Sequence, residues 1–148
     1  LKVVVIHGPN LQLLGRREPE VYGRATLADI DSALQGLASE LDVTLESFQS
    51  NSEGEILDYL ATSADAIDGI VVNAAALTHT SVALRDGLVA TGRPFVEVHL
   101  SNTAAREAFR TESVLSAVAR GVVFGFGVDS YLLGLRGLVS ALRFEAED

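Results

Sequence analysis

The sequence predicts a doubly wound α/β domain built on a five-stranded parallel sheet. Three observations point to it. Short, β-branched apolar runs such as KVVVI at residues 2–6 and GIVV at 69–72 are continuous rather than alternating, as strands buried on both faces are. Amphipathic stretches of helical period stand between such runs. The two kinds of segment take turns along the chain, which is the pattern of a parallel sheet with crossover helices.

Residues 2–6 read as the first strand, ended by the turn chemistry of His7-Gly8-Pro9-Asn10. From there to Ala25 no apolar period survives: LQLLGRREPEVYGRA holds two glycines, one proline, three arginines and one tyrosine. A loop of that length inside a compact domain is functional, mobile or both. Thr26 caps a helix with Leu27, Ile30, Leu34, Leu37 and Leu41 on one face and Asp29 in its first turn. Residues 43–48 alternate like a second strand, and Ser52-Glu53-Gly54-Glu55 has capping-box spacing for a helix to about Ala64. Residues 69–73 form the third strand. A small-residue loop follows, and Thr80 or Ser81 is placed to cap a helix carrying Val82, Leu84, Leu88 and Val89. Gly92 and Arg93-Pro94 stop that helix. Residues 95–100 are the fourth strand, 104–109 make at most two turns, 122–126 are the fifth strand, and Asp129 opens a last helix through Leu142. The expected strand order is 2-1-3-4-5, by analogy with flavodoxin-like sheets.

The 148 residues are the length of one domain with one full core, spanning 1–148 without repeats, low-complexity tracts or linkers. Apolar residues make up 48% and charged residues 21%, an ordinary globular composition. No apolar run approaches the roughly 18 residues of a membrane span. No charged-then-apolar leader precedes the first strand, so no signal peptide is expected. Cysteine is absent, which excludes disulfides, thiolate zinc sites and cysteine nucleophiles. A net charge of −9 and a pI near 4.7 argue against general nucleic-acid binding. An anion can still bind if the few arginines converge on one pocket.

Parallel topology puts the carboxyl ends of all strands on one edge of the sheet. Asn10, Asn73, His79, His99 and Ser101 all follow such ends, so they meet in one crevice. Glu97 and His99 share a face of their strand because side chains alternate. A carboxylate so placed can orient or charge the ring, although a structural ion pair has the same spacing. His7, His79 and His99 match no local zinc motif. The chain has no Walker loop, no G-x-G-x-x-G after the first strand and no G-x-S-x-G elbow. Acid–base chemistry on a small anion remains. Tyr22 stands among Arg16, Arg17 and Arg24. A free tyrosine titrates near pH 10, and each unit of depression needs about 1.4 kcal/mol of preferential phenolate stabilisation, which a guanidinium can supply. A surface tyrosine among solvated arginines is the plainer alternative.

The segments HGPNLQLLG-RREPEVYG, QSNSEGE, NAAALTHTSVALRD, EVHLSN, REAFR and GFGVDSYLLGL occur in that order across nearly the whole chain. Together they resemble the type II 3-dehydroquinate dehydratases. The resemblance implies reversible dehydration of 3-dehydroquinate to 3-dehydroshikimate through an enolate, a shikimate-pathway step in aromatic amino-acid biosynthesis. It implies no cofactor, no metal and no Schiff base, and Lys2 is the only lysine. Tyr22 would be the base that removes the C2 proton, made phenolate-like by Arg17. His99 would be the acid that protonates the departing C1 hydroxyl, oriented by Glu97. Asn10 would help hold a water that stabilises the enolate oxygen. Asn73, Ser101 and the amide of the Leu100–Ser101 peptide would bind the substrate carboxylate, and His79 and Arg110 the ring hydroxyls. Asp86 would reach a neighbouring subunit's site. Residues of about 8–25 would form a lid. The implied enzyme is cytoplasmic, a dodecamer built as a tetramer of trimers, with no nucleic-acid or membrane partner.

The chain departs from the family pattern at His7, where asparagine is common, and at Ala75-Ala76, where one or two glycines are usual. Ala104 replaces a frequent histidine, and Thr111-Glu112 a commonly basic or histidine-containing pair. Two other classes of function compete with the enzyme: a flavodoxin-like module that binds a small anion without turnover, and an inactive oligomeric scaffold. The missing phosphate loop weighs against the first, and the joint presence of Tyr22, Arg17 and His99 against the second.

Overall fold

The computed structural model describes residues 1–147. Its five strands are β1 (Lys2–His7), β2 (Thr44–Gln49), β3 (Gly69–Asn73), β4 (Phe95–His99) and β5 (Gly121–Phe124). All neighbours pair in parallel, in the order β2-β1-β3-β4-β5. The helices are α1 (Pro19–Tyr22), α2 (Leu27–Leu41), α3 (Glu53–Ser63), α4 (Val82–Ala90) and α5 (Val128–Glu147).

Alternation of side chains along each strand divides the core into two layers. Val3, Val5, Val71, Val96 and Val98 pack against α2 and α5, while Val4, Ile6, Ile70 and Val72 pack against α3 and α4. Burial on both faces explains why β1 and β3 carry no polar stripe. Gly8 lets the segments after β1 and β3 touch: a Cβ there would lie 2.4 Å from the Ala74 carbonyl oxygen. Its N–H donates to the Asn73 carbonyl at 2.8 Å. Gly134 does the same for α5 over β4, where a Cβ would come within 2.5 Å of Val98 Cγ1.

Several local features differ from the sequence reading. β1 runs one residue further than expected, and His7 is fully buried because its ring finds hydrogen-bond partners on α2 and α5. Segment 8–25 is more structured than a bare loop. It holds a 3-10 turn at Leu11–Leu13 and α1, whose first residue is Pro19, and it buries Leu11 and Leu14 in the core. Two anchors three residues apart are too short a signal to register as a period.

The full capping box belongs to α2, where Thr26 and Asp29 exchange side-chain-to-backbone bonds. At α3, Ser52 Oγ accepts from the Glu55 N–H, but the Glu55 carboxylate takes the Ser50 hydroxyl and Ser50 Oγ takes the Ser52 N–H. Ser81, rather than Thr80, caps α4. β5 ends at Phe124 because Gly125 and Gly127 take φ of 98° and 61° and turn the chain. α5 passes Leu142 by five residues, since ALRFEAE contains no glycine or proline to stop it. The connection from β4 to β5 has only 3-10 turns, at Thr103–Ala105, Ala108–Arg110 and Ser116–Val118.

Candidate active site

A cavity of about 260 Å³ opens at the carboxyl edge of the sheet. Segment 8–25 contributes Asn10, Arg17 and Tyr22, the last residue of β3 is Asn73, and the turn after it contributes His79. The end of β4 contributes His99, Leu100 and Ser101, and the β4–β5 connection Arg106 and Arg110. Three guanidinium groups thus converge in a chain of net charge −9, the arrangement an acidic protein needs to hold an anion. Of the residues expected at the site, Glu97 stands behind His99 instead of on the wall, and Asp86 is exposed on α4 away from this cavity.

Glu97 and His99 do share a face of β4, the face that the β4–β5 connection covers. Glu97 is 1% exposed, and its Oε2 lies 2.5 Å from His99 Nε2. Its other oxygen accepts from Ser113 Oγ at 2.9 Å and Ser116 Oγ at 2.7 Å. Burial pushes the carboxyl up, but His99 and the two serines outweigh it and hold the group below the ordinary glutamate value. An ionised carboxylate only accepts, so Nε2 carries the proton and Nδ1 is the ring nitrogen left for a ligand.

Tyr22 presents its hydroxyl to Arg106, whose Nη1 donates at 2.9 Å. The Arg106 and Arg17 guanidinium carbons lie 5.2 Å and 5.5 Å from the ring centroid. Two cations therefore flank one phenol. Arg106 is the cavity residue that sequence reasoning missed; its signal was the first arginine of REAFR, four residues before Arg110 and just beyond a strand end.

The remaining polar groups are held from behind. Asn73 Oδ1 accepts the Ala75 N–H at 3.1 Å. His79 Nδ1 donates to the Glu112 carbonyl at 2.7 Å, which leaves Nε2 for the cavity. Arg110 pairs with Glu107 at 2.8 Å, and this partner raises the guanidinium above its ordinary value; Glu112 meets the site through its carbonyl. The Gly127 N–H donates to the Leu100 carbonyl at 2.9 Å. Because C=O and N–H of a trans peptide point oppositely, the Ser101 N–H is turned the other way. Asn10 sits at φ 71°, which asparagine tolerates, with its N–H on Asn51 Oδ1 at 2.9 Å.

Residues 1–139 match the family model described as dehydroquinase class II. The chain belongs to this family. It is 52% identical over 143 residues to a 3-dehydroquinate dehydratase of Geotalea daltonii, covering 97% of this chain and 99% of that one. It is 56% identical over 139 residues to one of Desulforudis audaxviator, at 94% and 93% coverage. The solved type II dehydroquinase of Butyrivibrio crossotus superposes with a TM-score of 0.91 at 36% identity, over 93% of this chain and 97% of that chain.

Two further points bear on the chemistry open to this class II dehydroquinase. Lys2, its only lysine, lies at the start of β1 and pairs with Glu46 at 3.0 Å. Five residues of strand, about 16 Å, separate it from the carboxyl edge, so no amine reaches the cavity. Among the described residues, no three His, Asp or Glu side chains converge to hold a metal ion. The departure at Ala75 falls on strained backbone: its φ of 51° is in the left-handed region that glycine occupies without cost.

Proposed function

We propose that this chain, a hydro-lyase of the class II dehydroquinase family, converts 3-dehydroquinate reversibly to 3-dehydroshikimate in the shikimate pathway, through an enolate. Tyr22, as phenolate, takes the C2 proton, with the Arg106 and Arg17 guanidinium groups beside its ring. The electron pair moves into the ketone to give an enolate, whose oxygen is stabilised by a water that Asn10 helps hold. Collapse of the enolate expels the C1 hydroxyl, which His99 protonates so that it leaves as water. Glu97 supports the protonated ring. Asn73, Ser101 and the Ser101 amide bind the substrate carboxylate, and His79 and Arg110 the ring hydroxyls. Segment 8–25 acts as the lid of a single catalytic domain, closing Tyr22 and Arg17 over the substrate.

The observation that carries the reading is the pairing, around one cavity, of a tyrosine flanked by two guanidinium groups with a histidine backed by a buried carboxylate. These are a base and an acid held by separate elements, as an elimination requires. We also infer assembly into trimers and then a dodecamer in the cytoplasm, with Asp86 completing a neighbour's site. Val82 and Val89 flank Asp86 along α4 and are 59% and 55% exposed, which favours a covered face there. Adding 3-dehydroquinate should produce the absorbance of the conjugated enone product. No absorbance change from folded protein would refute the activity.

A further inference from the structure

The root of segment 8–25 is tied to the end of β2 by side chains that take no part in the chemistry above. Gln49, the last residue of β2, stands in register with His7 at the end of β1. Its Nε2 reaches the Gly8 carbonyl at 3.3 Å, Gln12 Oε1 at 3.1 Å and Asn51 Oδ1 at 3.2 Å. Asn51 Oδ1 also accepts the Asn10 N–H at 2.9 Å. Gln49 and Asn51 thus hold positions 8, 10 and 12 of the neighbouring turn.

Asn10 is the position where such a tie matters. Its φ of 71° and ψ of −2° are left-handed, a conformation that an L-residue keeps only where its surroundings hold it. The direction of its side chain follows from that backbone. The side chain makes no capping bond to the 3-10 turn it precedes, and Asn10 lines the cavity. Its carbonyl accepts the Leu13 N–H at 3.0 Å, so the turn holds one side of the residue and Asn51 the other. The orientation of both amides follows from their partners. Gln49 faces the Gly8 carbonyl and must present its NH2, and the Asn10 N–H can only donate. A flipped Asn51 amide would set its own NH2 against both donors. The Asn51 oxygen is therefore the acceptor common to Asn10 and Gln49.

We propose that Asn51 is a positioning residue, seated by Gln49, which holds Asn10 in the left-handed backbone that directs its side chain to the enolate-stabilising water. The inference rests on Asn10 holding that water. Neither Asn51 nor Gln49 is on the cavity wall, so both act through Asn10. Charge on the enolate oxygen develops only as the C2 proton leaves. A group that serves that charge is felt in the transition state more than in the bound substrate, and its loss falls on kcat rather than KM.

The test is steady-state kinetics with 3-dehydroquinate on Asn51→Ala, Asn51→Asp, Asn10→Ala and the double variant Asn10→Ala with Asn51→Ala, beside thermal melting of each. Asn51→Ala is expected to lower kcat about three- to tenfold, the scale of one hydrogen bond, with KM nearly unchanged. Asn10→Ala should lower kcat at least as much, and the double variant no further. Asn51→Asp keeps an oxygen for the Asn10 N–H and for Gln49, so kcat should return close to wild type; the charge it adds acts on the anionic substrate and is read in KM. If Asn51→Ala proves unfolded, Gln49→Ala, which unseats the same oxygen, is read in the same way. A wild-type kcat in Asn51→Ala beside a lowered kcat in Asn10→Ala would overturn the positioning role alone, as would Asn51→Asp no better than Asn51→Ala. An unaltered kcat in Asn10→Ala would overturn the enolate-water assignment, and the positioning role with it.

Discussion

Glu97→Gln tests the acid half of the mechanism without changing the shape of the core. Glu97 supplies three acceptor positions, to His99, Ser113 and Ser116. Glutamine keeps one oxygen and gains an NH2, and the serine hydroxyls can turn to suit it. The bond to His99 cannot survive in the same form, because the carboxylate that supports a protonated ring is gone. A hydrogen bond to a charged group contributes about 1.5–3 kcal/mol, so kcat should fall about 10- to 150-fold at 1.36 kcal/mol per decade. KM should change little, since Glu97 does not line the cavity. Glu97→Ala would instead leave the buried serine hydroxyls and ring nitrogen without their partner and destabilise the fold by about 3–5 kcal/mol. Enone absorbance gives the kinetics, and thermal melting separates the two effects. Wild-type kcat in folded Glu97→Gln would refute the supporting role of this carboxylate.

Further outcomes follow from the same geometry. Tyr22→Phe should remain folded and lose about 10²–10⁴ in kcat, and Arg106→Ala should approach the same defect; near-normal turnover in Tyr22→Phe would remove the proposed base. Ala75→Gly relieves about 1–2 kcal/mol of left-handed strain and adds about 0.5–1 kcal/mol of unfolded-chain entropy. The net gain of about 0.5–1 kcal/mol should raise Tm by about 2 °C, measured by calorimetry, and a lowered Tm would contradict it. Glu97 and Asp31 both sit below their ordinary values of 4.5 and 3.8, so the stability they contribute is complete above those values and is lost as pH falls through the lower native ones. Denaturant titrations should show the loss beginning below about pH 4.5, with Glu97→Gln shallower there than the parent. Mixed oligomers of His99→Asn and Asp86→Ala should regain activity that neither parent shows, and mixtures no better than impaired parents would remove the shared site.

The layering of the sheet was legible because β1 and β3 are continuous β-branched runs with no polar stripe. The carboxyl ends of β3 and β4 then named Asn73, His79 and Ser101 as neighbours from the sequence alone. Arg106 was not legible in the same way, since it meets a tyrosine 84 positions away through segments that carry no regular period. His7 read as turn chemistry because a polar residue beside Gly8-Pro9 normally ends a strand. Its burial depends on Tyr131, 124 positions away. The end of α5 escaped for the opposite reason: its last turns are exposed, and the periodicity that marks a buried face stops before the helix does.

The placement of Lys2 has a practical consequence. The only side-chain amine lies at the sheet edge opposite the cavity, and the chain has no thiol at all. An amine-reactive dye on Lys2 sits far from the substrate, and a cysteine introduced near Gly23 offers one unique thiol for a second dye. The pair would report the distance between segment 8–25 and the far edge by energy transfer, in molecules that are still turning over.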